Sequence, residues 1–297
     1  MDRRRCLQVL GLGGVLSVAG CTGGSTSVRE ATATEGTLTL ATATTAHDSG
    51  LLGALTPGFE ETSGASVKTV ARGTGAALRI ARDGDCDAVL VHARPLEDEF
   101  LRSGYGINRR TVMVNDFLIV GPTDDPAGVS GRTPVAAFRG IAGAEATFLS
   151  RGDRSGTHLR ERRLWDEAGV DPSGSWYRET GQGMGDTLVA AGQAGAYTLT
   201  DRGTFLTVSD EGVLAAHVDH GIDDPPRLLR NEYAIIPVNP ARHDVAYPLA
   251  MAYVGYLTGP GQSRIGGFRV GGERAFRPLG PAPEPNFRQY VPTDWRG

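Results

Sequence analysis

The segment Ser150-Arg151-Gly152-Asp153-Arg154-Ser155-Gly156-Thr157 concentrates guanidinium and hydroxyl groups, with two flexible glycines, in eight residues. A helical pattern over residues 157–168 follows directly. Arg, Ser and Thr side chains and the free N–H groups of a helix N-terminus are all donors. Together they suit one task, gripping a small oxyanion. Asp153 reads as an orienting partner for Arg151 or as a helix cap. Taken alone, Arg151 and Asp153 also read as a surface ion pair; the hydroxyls and glycines around them favour the anion. Ser155 and His158 form a close Ser–His pair, and that spacing at a helix start is explained by capping.

Other loops carry related chemistry. Residues 42–49, Thr-Ala-Thr-Thr-Ala-His-Asp-Ser, form a hydroxyl-rich loop with His47 and Asp48 at its edge. Thr74, in Gly73-Thr74-Gly75, either reaches a cleft or caps its helix. Gly181-Gln182-Gly183-Met184-Gly185 either donates backbone N–H groups or makes a tight turn. Its spacing is not that of a dinucleotide loop, and no Lys-Ser/Thr follows it. Asn108-Arg109-Arg110 read as a solvated or inter-strand surface.

These loops need elements to hold them. Alternating β-branched and apolar residues predict a strand over 37–41, and 66–71 and 87–91 read the same way. Leu51, Leu52, Leu55 and Phe59 have helical spacing over 50–62, and helices are expected to Arg82 and over 96–103. This βαβαβα order implies a parallel sheet with helices on its faces. Residues 111–121 predict a strand that leaves this first lobe. A helix over 135–141 and a strand over 147–150 follow, then a helix over 186–193 and a strand over 196–199. Asp201 caps a short helix. Residues 232–238 predict the return strand and 242–257 an amphipathic helix packed on the first lobe. Ligands of open α/β sheets sit beyond the carboxyl ends of strands, where these loops lie. The layout is a two-lobed clamshell with a cleft, each lobe a mostly parallel sheet flanked by helices.

Composition narrows the function. The chain has 297 residues, 40% hydrophobic and 22% charged, as expected of a soluble protein large enough for two lobes. Arg3-Arg4-Arg5-Cys6-Leu7 and the apolar run after it predict a twin-arginine export signal over 1–20. Leu16-Ser17-Val18-Ala19-Gly20-Cys21 is a lipobox, so Cys21 is expected to carry lipid, with 21–35 a flexible tether. The net charge is −4; the leader carries three Arg and one Asp, so its loss leaves −6. A phosphate backbone wants a basic face, so nucleic-acid binding is excluded. Cys86 alone remains in the mature chain and is expected in the core. The six histidines show no zinc-ligand spacing. No Gly-x-Ser-x-Gly elbow is present, so an exported hydrolase is a remote alternative.

Several motifs, in order along the chain, resemble the tungstate-binding proteins of ABC transporters. They are the 42–49 loop with Gly50-Leu51-Leu52, Gly73-Thr74-Gly75, Tyr105-Gly106-Ile107-Asn108-Arg109-Arg110, Asn115-Asp116-Phe117 and Gly121-Pro122. The segment 150–157, Thr180 to Gly185, Tyr197 to Thr204 and Val238-Asn239-Pro240 continue the series. The resemblance implies a type II periplasmic-binding-protein-like fold. It divides the chain into a first lobe over 36–116 and 239–297 and a second over 117–238. It implies capture of tungstate, or molybdate, by a lipid-anchored extracytoplasmic monomer serving an ABC permease, without a cofactor. The family's anion contacts fall on Thr44 and Thr45 in one lobe and on Arg151 and Thr157 in the other, with Ser155 and Thr74 as further candidates. One departure is Ala43, where the family's unbroken Thr-Thr-Thr-Ser run has a hydroxyl. Tungstate carries no proton at neutral pH and wants donors on all sides. Phosphate needs an acceptor, and a phosphate- or sulfate-binding protein of the same fold is the alternative.

Overall fold

The computed structural model describes residues 36–208, 212–280 and 287–296. The export signal, the tether and Cys21 lie outside the described residues. In chain order the elements begin with β1 (Thr37–Ala43), α1 (Thr44–Asp48), α2 (Leu51–Ser63), β2 (Ser66–Arg72), α3 (Thr74–Asp83), β3 (Ala88–Val91) and α4 (Arg94–Arg102). The long strand β4 (Arg110–Pro122) leads to α5 (Pro134–Gly143), β5 (Phe148–Ser150), α6 (Gly156–Ala168), β6 (Tyr177–Glu179), α7 (Met184–Ala194), β7 (Thr198–Asp201), α8 (Arg202–Val208) and β8 (Leu214–Val218). The chain returns through β9 (Arg230–Pro237), α9 (Tyr247–Thr258) and α10 (Gly261–Gly267). The short strands β10 (Arg269–Val270), β11 (Glu273–Arg274) and β12 (Arg277–Pro278) follow.

Two half-sheets share β4. In the first lobe β1 pairs in parallel with β2 and β3, β3 pairs antiparallel with β9, and β9 pairs with Arg110–Asp116 of β4. Past Asp116 the same strand changes partners, so Phe117–Pro122 pair with β7 and β8 in the second lobe. There β5 pairs in parallel with β6, and Phe148 bridges to Tyr197. The parallel core is thus as expected in each lobe, while every pairing made by β4 is antiparallel. One boundary needs correction. The second lobe was expected to run through the return strand at 232–238, but β9 there hydrogen-bonds β3, which places it in the first lobe's sheet.

Both sheets are covered on both faces. Leu38 and Leu40 of β1 point into a core with α2, α9 and α10, while Ala41 joins Val89, Val91 and Phe100 under α3 and α4. Alternation along β4 repeats this, with Phe117 and Ile119 facing Phe138 and Trp165, and Leu118 and Val120 facing Met184 and Leu188 of α7. Phe138 and Trp165 lie 4.3 Å apart and Phe148 and Trp165 5.1 Å, aromatic contacts worth about 0.5–1.5 kcal/mol each beyond burial. Cys86 is a core residue, and burial pushes its thiol up to about 12.

Three local expectations change. The hydroxyl-rich stretch is not a loop. Its Thr42 extends β1, donating to the Leu90 carbonyl at 3.0 Å, and Thr44–Asp48 form α1. The helix expected over 242–257 begins only at Tyr247, because Pro248 is compatible with a first turn but not with a helix interior. Arg109 is not solvated: it is 2% exposed and pairs at 2.8 Å with fully buried Glu97.

Candidate functional site

The loop after β5 turns through Gly152 and Arg154, both with positive φ, and delivers Ser155 as the N-cap of α6. The Ser155 hydroxyl accepts from the His158 N–H at 3.3 Å, as the capping reading expected, and its own proton stays free to donate. Asp153 orients Arg151, while the helix cap is Ser155. One Asp153 oxygen accepts from the Ser155 N–H at 3.0 Å, and the other from Arg151 Nη2 at 2.5 Å. Arg151 is only 3% exposed, so the surface ion-pair reading does not hold. Its Nε has no partner, and neither has the buried Thr157 hydroxyl.

Across the cleft stands the N-terminus of α3. A Cβ placed on Gly73 would lie 3.8 Å from both Asp153 Oδ2 and Ser155 Cβ, so this helix start faces the Arg151 loop. Thr74 does not cap its helix. The N-cap is Gly73, and the Thr74 hydroxyl is fully buried without a partner. Leaving a buried polar group unpaired costs about 1–3 kcal/mol. Two such hydroxyls on facing helix starts, with Arg151 Nε on the loop before one of them, are the mark of a site built for an acceptor. The Gly181–Gly185 loop lies alongside. The Gly181 N–H is committed to the Arg151 carbonyl at 2.9 Å, and Gly183 caps α7, so this loop buttresses the Arg151 loop.

The lobes touch beside these groups. A Cβ on Gly156 would lie 2.6 Å from His92 Cε1, a distance no packed side chain tolerates, so this position holds glycine for close approach. His92 follows β3 and is buried. Burial pulls its imidazole down to about 4, against the pull of its bond to Asn231 and with help from the Arg151 and Arg160 charges, so it is neutral at pH 7.

His92 belongs to a buried hydrogen-bond chain whose direction follows from one end. The Asp201 carboxylate accepts from Thr204 N at 3.0 Å, Thr204 Oγ1 at 2.6 Å and Asn115 Nδ2 at 3.2 Å. Asn115 therefore offers its oxygen to Asn231 Nδ2 at 3.0 Å. Asn231 in turn presents its oxygen to His92 Nδ1 at 2.8 Å, which must carry the proton. Nε2 of the neutral ring then accepts from the Thr45 hydroxyl at 3.3 Å, and Tyr233 donates to Thr45 at 2.7 Å. Thr45 has only one proton and His92 takes it. Thr45, expected as an anion contact, is buried with its hydroxyl between His92 and Tyr233. Thr44 begins α1, partly exposed, behind Ala43, which supplies no side-chain cap. Asp48 is at the edge, its carboxyl raised by burial against the pull of His47 and Arg151.

Residue types and spacing missed Asn115, Asn231, His92 and Tyr233 as site supports. A signal did exist: Asn115 and Asn231 interrupt apolar strand runs, and a buried amide inside a strand must find a partner.

A crossing strand shared by two half-sheets, with unpaired donors brought from both lobes to one cleft, defines a type II, periplasmic-binding-protein-like solute receptor. The chain belongs to the PBP superfamily: a PBP superfamily domain matches residues 27–260. It is similar to a Haloferax volcanii protein provisionally named ABC transporter anion-binding protein, with 52% identity covering 100% of this chain and 92% of that one. The tungstate-binding protein TupA of Peptoclostridium acidaminophilum is 42% identical over 72% of this chain and 74% of its own. Among solved structures, that of the tungstate ABC transporter from Geobacter sulfurreducens aligns with a TM-score of 0.72 and 46% identity, covering 78% of this chain and 98% of that chain. The protein is a binding protein and not an enzyme.

Proposed function

We propose that the protein binds a tetrahedral oxyanion, tungstate or molybdate, between its lobes and hands it to an ABC permease. The observation that carries this reading is the set of buried, unpartnered donors: the Thr157 and Thr74 hydroxyls on facing helix starts of the two lobes, and Arg151 Nε on the loop before α6. Ser155 and Thr44 hydroxyls complete the contact set. An anion that only accepts hydrogen bonds satisfies all of them, and charge-assisted bonds in a closed cleft are about twice as strong as neutral ones. Asp153 holds Arg151 and the Ser155 N–H with its two oxygens, and each oxygen keeps a second lone pair, so phosphate is separated from the proton-free anions by titration. The names of the relatives support the same ligand class. Export by the twin-arginine route and a lipid on Cys21 would place the receptor outside the membrane, beside its permease.

Calorimetric titration with tungstate, molybdate, sulfate and phosphate tests the ligand. Tight binding of tungstate or molybdate, with weaker sulfate and weakest phosphate, is the expected order. Phosphate binding more tightly than tungstate would overturn the reading.

A further inference from the structure

A second feature of the interlobe region is a cleft of about 710 Å³ between α4 of the first lobe and α6 of the second. Seven arginines and two carboxylates line it, in a chain whose net charge is −4. On the first lobe Arg94 is paired with Asp98, Arg102 with Asp294 and Arg109 with Glu97. Opposite, Gly156, Leu159, Arg160 and Arg163 form one face of α6, as the 3.6-residue repeat requires. Arg163 and Arg227 share Glu167, at 3.3 and 3.6 Å, and Arg230 takes Glu232. Arg160 is different. Among the described residues no carboxylate lies within ion-pair distance of it. Its guanidinium is tied only to the carbonyls of Arg227 and Arg230, at 3.1 and 3.0 Å, and lies over the Phe117 ring. Burial, then the neighbouring Arg163 and Arg227, pull it down to about 10. The cleft thus holds seven guanidiniums against five carboxylates, counting every ion-pair partner. Its inner wall is His92 and Gly156, the pair in contact across the lobes, and His92 feels both Arg160 and Arg151.

We propose that this arginine-lined cleft is the electrostatic port through which the oxyanion reaches Arg151, with Arg160, Arg163 and Arg227 as the capturing charges and the His92–Gly156 contact as the sill it crosses while the lobes are apart. The proposal rests on the oxyanion reading above. An acidic protein repels a dianion at long range, so a local positive surface in a low-dielectric cleft sets the encounter rate. Residues that steer without touching the bound ligand change the association rate and its salt dependence, and leave dissociation alone.

Stopped-flow fluorescence with tungstate tests this on the full chain. Arg163→Gln with Arg227→Gln removes two exposed guanidiniums whose ion-pair partner is Glu167. Arg160→Gln is the second variant, since its loss frees two carbonyls, and Arg132→Gln with Arg269→Gln is the equal-charge control elsewhere on the surface. At about 0.01 M salt, where screening begins at about 30 Å, the double variant should associate about fivefold more slowly than wild type and the control. At about 1 M salt the three should converge, with equal dissociation rates throughout. An unchanged association rate at low salt, or a loss confined to dissociation, overturns the port. So does a second bound anion in the wild-type calorimetric stoichiometry that the double variant lacks, because the cleft is then a site of its own. Wild-type protein that binds neither tungstate nor molybdate at equilibrium sinks the oxyanion reading, an outcome distinct from the kinetic failures.

Discussion

The threonines of this site have opposite relations to their surroundings. Thr157 keeps an unpaired hydroxyl, while Thr45 holds His92 and Tyr233 in register. Exchanging each for isosteric valine separates the roles. Thr157→Val removes a buried unsatisfied group, so the melting temperature of the ligand-free protein should hold or rise while tungstate affinity falls. Thr45→Val leaves His92 Nε2 without its donor and should destabilise the ligand-free protein by about 1–3 kcal/mol. If thermal melts show Thr157→Val as the more damaging change without ligand, the division of roles fails. On the proposed reading Arg151 carries the charge of the site. Arg151→Ala should weaken binding by about 3–5 kcal/mol, because a dianion is then buried without its counter-charge. A titration showing less than about a threefold loss, under roughly 0.7 kcal/mol, would move the anion elsewhere.

At the scale of elements, α6 does two things: its first turn faces the cleft and its second sets buried Glu161 against Ser150 of β5 and Tyr177 of β6. Gly156 governs the first. Gly156→Ala puts a methyl group 2.6 Å from His92 Cε1, so the lobes should no longer close fully. Affinity should fall at least about tenfold, roughly 1.4 kcal/mol, with little change in ligand-free stability. Unchanged affinity would mean that this contact forms no part of the bound state. Glu161 governs the second. It is buried, accepts from Trp165 Nε1 at 3.1 Å and Tyr177 OH at 2.9 Å, and burial raises its carboxyl from 4.5 to about 7 against those bonds. A folded-state value above the unfolded one means stability present below pH 4.5 and lost as pH rises toward 7. Glu161→Gln should therefore stabilise the protein relative to wild type, by about 2–3 kcal/mol at pH 7, with the gain shrinking as pH falls to 4.5. A difference that stays flat across that window in denaturant titrations would rule out a protonated Glu161.

At the scale of the whole molecule, an anion held by Thr74 from one lobe and by Arg151 and Thr157 from the other must bridge them. Binding then selects the closed arrangement, with its energy divided between ligand contacts and lobe closure. Tungstate should raise the melting temperature, by an amount equivalent to about 2.7 kcal/mol at a hundredfold excess over Kd, and should shrink the radius of gyration in solution scattering. Tight binding without compaction would place the site within one lobe. The point where β4 changes partners between the lobes is braced. Asp116, the last residue paired with β9, takes two bonds of 2.7 Å from Arg202 at the start of α8.

Residue order by itself determined the parts of this protein that are local. Strand alternation, helical spacing, the Ser155 cap and the Asp201 cap depend on neighbours a few positions away, and all were legible. The donor-rich segment 150–157 was legible for the same reason, since its chemistry lies in consecutive residues. Only the tertiary structure decided what depends on partners far along the chain. The hydrogen-bond chain runs from Asp201 to Thr45, 156 positions away, and it set Thr45 beside His92 and Tyr233. Arg109 is buried because Glu97 packs against it, and β9 belongs to the first lobe because β3 lies beside it, partners that no local pattern announces. A hydroxyl or a guanidinium can always donate, but whether its proton remains free is settled by which acceptors the fold brings within reach.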